Sequence, residues 1–189
     1  MQRLSDDYFA EKYAADADPW GFDSRWYERR KQDLTVAVLP RARYRSAFEP
    51  GCANGALTAR LAVRCDRLLA GDVVAEVVTR AAARLGEHAH VEIRRLALPE
   101  DWPRDERFDL VVLSEVAYYL TSDGLDEVLD ALDVSLRPGG HLVAVHWLGV
   151  TDYPLRGDEV HARLRRHPSF TLVSSYREDA FVLDVLERT

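Results

Sequence analysis

The sequence predicts an α/β fold in which a mostly parallel, doubly wound sheet is covered by helices on both faces. From residue 46 onward, β-prone runs alternate with helical patterns, and parallel strands need such helical crossovers. Residues 110–113 form an uninterrupted apolar run, as expected of a strand buried on both faces. A glycine-bearing turn at residues 51–55 separates the first strand from its helix. Such a turn suits a ligand at the carboxyl end of the sheet.

Composition limits the kind of protein. The 189 residues favour a single domain over residues 1–189, with a helical lid segment at 1–40 and an α/β core at 46–189. The net charge of −7 disfavours a nucleic-acid surface, and the two cysteines lack metal-ligand spacing. No signal peptide or membrane-length apolar run is visible, so we expect a cytoplasmic enzyme without a metal.

The elements can be placed in order along the chain. A short helix around Tyr8 and Tyr13 should end before the breaker at residues 18–22, and a second helix over about 24–39 should end at Pro40. The strand at 91–95 alternates apolar and polar residues, which favours a sheet edge. Strands are expected at 46–49, 68–72, 91–95, 110–113, 141–147, 170–175 and 180–186, with core helices at about 54–64, 74–85, 123–136 and 157–167.

Four polar or turn residues stand where predicted strands end. They are Gly51, Asp72, Ser114 and His146. Ligands of open α/β sheets bind beyond the carboxyl ends of the strands. Asp72 could accept hydrogen bonds from both hydroxyls of a ribose, although a strand-end Asp can also simply cap the next helix. Together the turn and Asp72 favour a nucleoside-containing cofactor.

Three motifs resemble one enzyme class. Residues 49–55, Glu-Pro-Gly-Cys-Ala-Asn-Gly, resemble the first motif of class I S-adenosylmethionine-dependent methyltransferases, with Ala53 where the middle Gly is expected. Residues 108–120 resemble the fourth strand and following loop of the nodulation N-methyltransferase (NodS-like) family. Residues 136–143 resemble the turn into the fifth strand of the class. The resemblance covers about residues 5–147.

The resemblance implies seven strands with the last antiparallel, and S-adenosylmethionine as cofactor with S-adenosylhomocysteine as its product. In the class an acid often holds the adenine, but this chain has Ala97 there, so backbone near Ala97 and Leu98 is the expected contact, with Glu100 or Asp101 as less favoured substitutes. Trp102 could stack on adenine or anchor the loop in the core. The candidate cofactor residues are Glu49, Gly51, Cys52, Ala53, Gly55, Asp72, Val73, Ala97, Leu98, Ser114, Glu115, Trp20, Tyr27 and Arg29.

The N-terminal segment has two interpretations. It could be a packing layer over the sheet, or, as the resemblance implies, a lid over the cofactor. As a lid it would offer Trp20, Trp26 and Tyr27 to the adenosyl or methionine end. Arg29 or Arg30 could pair with the methionine carboxylate, because a guanidinium matches a carboxylate bidentately.

Three residues are candidates for catalysis. Glu115 could bind the methionine ammonium, orient an amine or accept its proton, and His146 is the hypothesised general base. Tyr118 could line the acceptor pocket, with at most one of the adjacent Tyr118 and Tyr119 expected to face it. His146 could instead be a buried packing residue.

The resulting hypothesis is N-methylation of a small amine, such as an amino sugar as the family resemblance suggests. An O-methyltransferase of another small metabolite and a non-catalytic cofactor-binding module remain alternatives. The sequence leaves the acceptor and the oligomeric state open, and predicts neither a nucleic-acid nor a membrane partner.

Overall fold

The computed structural model describes residues 3–189; residues 1 and 2, which the predicted lid segment included, lie outside the described residues. The strands are β1 (Ala47–Pro50), β2 (Leu68–Asp72), β3 (Val91–Arg95), β4 (Phe108–Ser114), β5 (Leu136–Trp147), β6 (Phe170–Arg177) and β7 (Phe181–Arg188). The helices are α1 (Asp6–Ala15), α2 (Trp26–Ala37), α3 (Ala56–Ala62), α4 (Ala75–Arg84), α5 (Ser122–Ser135) and α6 (Gly157–Arg166), with a short 3-10 helix at Ala117–Tyr119.

The strands form one sheet in the order β3-β2-β1-β4-β5-β7-β6. Strands β1 to β5 pair in parallel, and β7 runs antiparallel to both of its neighbours, β5 and β6. The predicted doubly wound, seven-stranded fold is therefore confirmed, including the edge position of β3 and the central position of β4. The order reverses between β1 and β4, which is where an open α/β sheet binds its ligand.

The fifth strand differs from its prediction. It begins at Leu136, because Leu136 already pairs with Phe108 of β4. The Pro-Gly-Gly sequence expected to form a turn before the strand lies inside it, and Gly139 has φ +72. The register of β4 against β5 shifts between Phe108 and Leu110, which accommodates this irregularity.

Two apolar clusters fill the two faces of the sheet. Helix α5 shows why the chain folds this way, because its buried residues recur at helical spacing. They are Leu125, Val128, Leu129 and Leu132. Thr121 caps the helix by accepting a hydrogen bond from the Gly124 N–H at 2.9 Å.

The N-terminal segment lies over the carboxyl edge of the sheet. Tyr13 of α1 is buried against Ala53 and Val77. The Leu4 N–H donates to the carbonyl of Tyr119 at 3.2 Å. Along residues 3–189, no helix has the length and apolar character needed to cross a bilayer.

Candidate active site

A pocket of about 410 Å³ opens at the carboxyl ends of β1, β2 and β4, under the N-terminal segment. Most predicted cofactor residues line it, so the structure brings them together. They are Trp20, Tyr27, Glu49, Gly51, Cys52, Ala53, Asp72, Val73, Ala97, Leu98, Ser114 and Glu115. Gly55 and Arg29 do not line it.

The glycine-bearing turn has the tight backbone that the sequence predicts. Gly51 has φ +72, and a Cβ there would lie 2.9 Å from Val116 Cγ2. Ala53 also has a positive φ, +49, which explains why glycine is expected at this position of the motif. Gly55, at φ +79, precedes α3 as its N-cap and shapes the turn without contacting the pocket.

Asp72 ends β2 with its carboxylate almost fully buried in the pocket wall. Its Oδ2 accepts a hydrogen bond from the Ala53 N–H and its Oδ1 accepts one from the Val74 N–H, both at 3.1 Å. Burial raises the pKa of this carboxyl, although both amides favour the ionised form. Asp72 thus tethers the turn at Ala53 and the Val74 N–H just before α4, while also facing the pocket; the N-cap of α4 is Val74, which has no side-chain cap hydrogen bond, so the helix-cap alternative is not what the structure shows.

Glu49 is a buried carboxyl in the pocket, and no cation among residues 3–189 acts on it. Its exposed fraction is 2%, and its Oε2 has no hydrogen-bond partner. Burial raises its pKa to about 8. A buried carboxylate without a partner is costly, so a cationic ligand group in this pocket would be stabilised beside it.

The predicted adenine wall is only partly as expected. Ala97 and Leu98 line the pocket, but the Ala97 N–H already donates to Asp101 Oδ2 at 2.9 Å. Glu100 and Asp101 are not among the lining residues. Trp102 is buried in the core against Phe48, which rules out its stacking on a ligand in the pocket.

Glu115 occupies a strained and fully engaged position. Its φ is +54, a conformation that non-glycine residues adopt rarely and mostly at functional sites. Its Oε1 accepts a hydrogen bond from Lys31 Nζ at 2.6 Å. Its Oε2 accepts one from the Trp147 N–H at 3.1 Å and another from the Tyr118 hydroxyl. The carboxylate is therefore held from α2, β5 and the 3-10 helix together.

Lys31 and Glu28 are site residues that the sequence analysis missed. Both line the pocket, and Lys31 Nζ lies 3.0 Å from Glu28 Oε2 and 4.7 Å from the centre of the Tyr27 ring. Burial alone would lower the pKa of Lys31, but the Glu115 and Glu28 carboxylates outweigh it and raise the pKa. Burial raises the pKa of Glu28. A Glu and a Lys three residues apart on a helix gave little signal, because such pairs are usually solvent-exposed.

The far side of the pocket is aromatic. Tyr118 and Tyr119 both line it, which corrects the prediction that at most one would. The two rings can share the wall because a 3-10 helix carries them and their planes meet at 78°. Trp147 and Tyr153 extend this surface.

His146 is the main correction. It is fully buried and does not line the pocket. Its Nε2 accepts a hydrogen bond from the Ala117 N–H at 3.2 Å, and its Nδ1 faces His161 Nε2 at 3.1 Å. Both ring nitrogens are therefore engaged behind the pocket wall, and His146 cannot reach an acceptor as a base.

Two predicted arginines are also misplaced. Arg29 is exposed outside the pocket, because it lies on the outer face of α2. Arg30 pairs with Glu178 at 2.9 Å, and Trp26 is 69% exposed. Arg3 and Arg25 line the pocket instead and are the guanidinium groups available to a ligand carboxylate.

Residues 3–189 contain no group of three or more His, Cys, Asp or Glu side chains that could hold a metal ion. What the pocket offers is buried carboxylates, one buried ammonium, a tight backbone turn and aromatic faces.

Comparison with known proteins found one family model and several relatives of similar sequence. The profile of the Nodulation protein S (NodS) family matches residues 4–144. Nodulation protein S of Rhizobium tropici is 38% identical over 134 residues, which cover 69% of this chain and 55% of that protein. The chain therefore spans about half the length of that relative. Nodulation protein S of Sinorhizobium fredii is 30% identical over 76% of this chain and 67% of its own length.

Two solved structures are also similar. The crystal structure of N-methyltransferase NodS from Bradyrhizobium japonicum WM9 in complex with S-adenosyl-L-homocysteine has a TM-score of 0.86 at 26% identity, covering 96% of this chain and 97% of that chain. A putative methyltransferase from Pseudomonas syringae has a TM-score of 0.76 at 44% identity, covering 87% of this chain and 100% of that chain.

Proposed function

The chain belongs to the Nodulation protein S family, and from this premise we propose that it is an S-adenosylmethionine-dependent N-methyltransferase of a small amine. The observation that carries the proposal is one pocket that joins the tight turn at residues 51–55, the buried acids Glu49 and Asp72, and the Glu115 cluster. The NodS structure that this fold matches at a TM-score of 0.86 holds S-adenosylhomocysteine.

The residues present fit this cofactor. Asp72 supplies a buried carboxylate at the end of β2, the position suited to ribose hydroxyls. Glu49 supplies an unpartnered buried carboxylate for a positively charged group. Leu96, Ala97 and Leu98 give an apolar wall for the adenine, and Arg25 gives a guanidinium for the methionine carboxylate.

When bound, the cofactor would supply a methyl group on a positively charged sulfur. The nucleophile attacks the methyl carbon, and the sulfur is the leaving group. The chain's own contribution is alignment and exclusion of water. Glu115 is held at three hydrogen bonds, so it serves as a fixed acceptor that orients an amine. Because its carboxylate already accepts three hydrogen bonds, Glu115 is poorly suited to accept the proton of the amine.

An amine acceptor fits the charges of the acceptor side. Glu28 and Glu115 outnumber Lys31 there, so a cationic or polar amine is favoured over an acid. Glu28, whose pKa burial raises, lies beside Lys31 Nζ at 3.0 Å and adds a second carboxyl group to this side of the pocket. The aromatic faces of Tyr118, Tyr119 and Trp147 suit the apolar faces of a sugar ring.

The same proposal covers the N-terminal segment and the setting. We infer that residues 3–40 act as a lid within a single domain, supported by pocket contacts from Phe9, Trp20 and Phe22. The cytoplasm is the proposed location, and the free thiols of Cys52 and Cys65 fit a reducing compartment.

Turnover tests the proposal directly. Purified protein with S-adenosylmethionine should methylate amino sugars at nitrogen, and the matched sugars with a hydroxyl in place of the amine should not react. Methylation of the hydroxyl sugars would replace the N-methyltransferase with the O-methyltransferase alternative. Binding of S-adenosylhomocysteine without turnover on either set would favour the non-catalytic module.

A further inference from the structure

His146, His161 and Asp184 form a buried line of hydrogen bonds behind the pocket wall. His146 Nδ1 lies 3.1 Å from His161 Nε2, and His161 Nδ1 lies 2.6 Å from Asp184 Oδ2. The three side chains are at most 2% exposed. Arg165 closes the line by donating to both Asp184 oxygens, at 2.7 and 2.6 Å. None of the four residues lines the pocket.

One protonation pattern satisfies every group in this line. The Ala117 N–H donates to His146 Nε2 at 3.2 Å, so that nitrogen carries no proton. A neutral imidazole has one N–H, so His146 Nδ1–H donates to His161 Nε2. His161 Nδ1–H then donates to the Asp184 carboxylate. Two neutral histidines, both protonated at Nδ1, leave no donor or acceptor unmatched.

The His146 end of this line contacts the segment that carries the strained Glu115. Three consecutive residues at the end of β5 contact the segment at residues 115–117. The Val145 carbonyl accepts from the Glu115 N–H at 2.8 Å, His146 accepts from the Ala117 N–H, and the Trp147 N–H donates to Glu115 Oε2 at 3.1 Å. A strained backbone conformation persists only where surrounding contacts hold it in place, and these three contacts do so for Glu115.

We infer that His146, backed by His161 and Asp184, is a positioning residue that fixes Glu115 through the Ala117 amide, and that protonation of the histidine pair releases this contact. The effect on methyl transfer rests on the proposed function. The hydrogen-bond pattern and its response to pH do not.

The geometry explains the response to acid. The pair has two unprotonated nitrogens, His146 Nε2 and His161 Nε2. A proton from water on His146 Nε2 puts an N–H against the Ala117 N–H. A proton on His161 Nε2 puts an N–H against His146 Nδ1–H, which must move its own proton to Nε2. Both routes end with the Ala117 amide facing a donor.

The groups around His146 favour its neutral form. Burial is the largest cause that lowers the pKa of His146, followed by the charge of His161 from α6 and of Lys31 from α2. Asp184 of β7 acts in the opposite direction. The Tyr118 ring packs on the remaining side, with ring centres 5.0 Å apart.

Nitrogen-15 NMR of the protein without ligand tests the pattern. At pH 7, His146 and His161 should both show the neutral state with the proton on Nδ1. On acidification the Ala117 amide resonance should shift with the same midpoint as His146. A proton on His146 Nε2 at pH 7, or an Ala117 amide that ignores the titration of His146, would overturn the inference.

Two substitutions separate positioning from packing. Both His146→Gln and His146→Leu remove the partner of His161, but glutamine keeps an oxygen that can accept from the Ala117 N–H. His146→Gln should stay within about threefold of the wild-type kcat at pH 7 and lose the acid titration of the Ala117 amide, whereas His146→Leu should lose at least about tenfold in kcat. Affinity for S-adenosylhomocysteine should change less than kcat in both.

A matched control is His141→Gln, another buried histidine on β5, which bonds Tyr44 at 2.9 Å far from the pocket. It should leave the Ala117 titration intact. Equal losses in the glutamine and leucine variants would reduce His146 to packing. If neither the wild-type protein nor any variant methylated an amine, the proposed function would be wrong. The NMR result would still show whether the histidine pair has the inferred hydrogen-bond pattern.

Discussion

The two halves of the pocket are built in different ways. The cofactor half, at the ends of β1 and β2, is held by contacts of shorter sequence separation, such as Asp72 to Val74, two residues away, and to Ala53, 19 residues away. The acceptor half, at the ends of β4 and β5, depends on Lys31 of α2 reaching Glu115, 84 residues away. Local backbone geometry therefore shapes one half, and a long-range buried ion pair shapes the other.

Breaking the ion pair should have the largest effect on the molecule. Lys31→Met leaves the Glu115 and Glu28 carboxylates without their cation, and losing one partner of a buried pair costs about 3–5 kcal/mol. Urea unfolding of Lys31→Met against Lys12→Met, a lysine exposed on α1, measures this. Adding Glu115→Gln to Lys31→Met should recover part of the loss. Equal stability of the two single variants would mean that the acceptor half does not depend on Lys31.

Breaking the cofactor half should instead reduce binding. Asp72→Ala removes a carboxylate whose charge-assisted hydrogen bonds are worth about 1.5–3 kcal/mol each, so affinity for S-adenosylhomocysteine should fall at least about tenfold. Isothermal titration calorimetry measures the affinity, with Asp66→Ala on the surface as the matched control. An unchanged affinity would leave Asp72 as a tether for the Ala53 and Val74 amides alone.

The pH dependence of stability tests the role of Glu49 in the cofactor half. Its pKa is raised by burial to about 8, so the folded protein holds the proton more tightly than the unfolded chain. The stabilisation is complete below the unfolded pKa of about 4.5 and is lost as the pH rises toward 8. Glu49→Gln should therefore raise the melting temperature at pH 8–9 and change it little at pH 4, measured by differential scanning fluorimetry.

The same variant should bind S-adenosylhomocysteine more weakly, because it lacks the buried negative charge. Greater stability with weaker binding is the result that links the cost of burying Glu49 to the ligand. A gain in stability with unchanged affinity would assign Glu49 to the fold alone.

Tyr118 should have the smallest effect. Tyr118→Phe removes one of three hydrogen bonds to Glu115 while keeping the aromatic wall. A loss of about 1 kcal/mol corresponds to roughly fivefold in kcat. Steady-state kinetics should show this change in kcat with affinity for S-adenosylhomocysteine unaltered. A comparable loss of that affinity would show that the two halves are not separable.

The same contrast explains what the sequence could predict. The turn at residues 51–55 and Asp72 were recognisable because motif, strand and helix are adjacent in the chain. The edge position of β3 and the central position of β4 followed from periodicity, and the seven strands with an antiparallel last strand followed from family resemblance. The same resemblance pointed to Tyr27 and Trp20, which line the pocket.

The incorrect predictions concern positions that tertiary contacts determine. His146 was chosen as a base because it ends a strand, yet β5 directs it behind the wall toward His161. Arg29 was chosen for its charge, while the helical phase of α2 turns Glu28 and Lys31 to the pocket instead. Strand β5 began earlier than predicted, because pairing of Leu136 with Phe108 overrides the turn chemistry of Pro138 and Gly139.

A crystal structure of this protein with S-adenosylhomocysteine tests the central claim most directly. The two-halves account predicts the ribose hydroxyls against Asp72, the amino group on the side of Glu49, and the sulfur facing Glu115 and Tyr118. It also predicts that Lys31 keeps its contact with Glu115 in the complex. A ribose bound away from Asp72, or a sulfur that does not face the Glu115 cluster, would contradict the account.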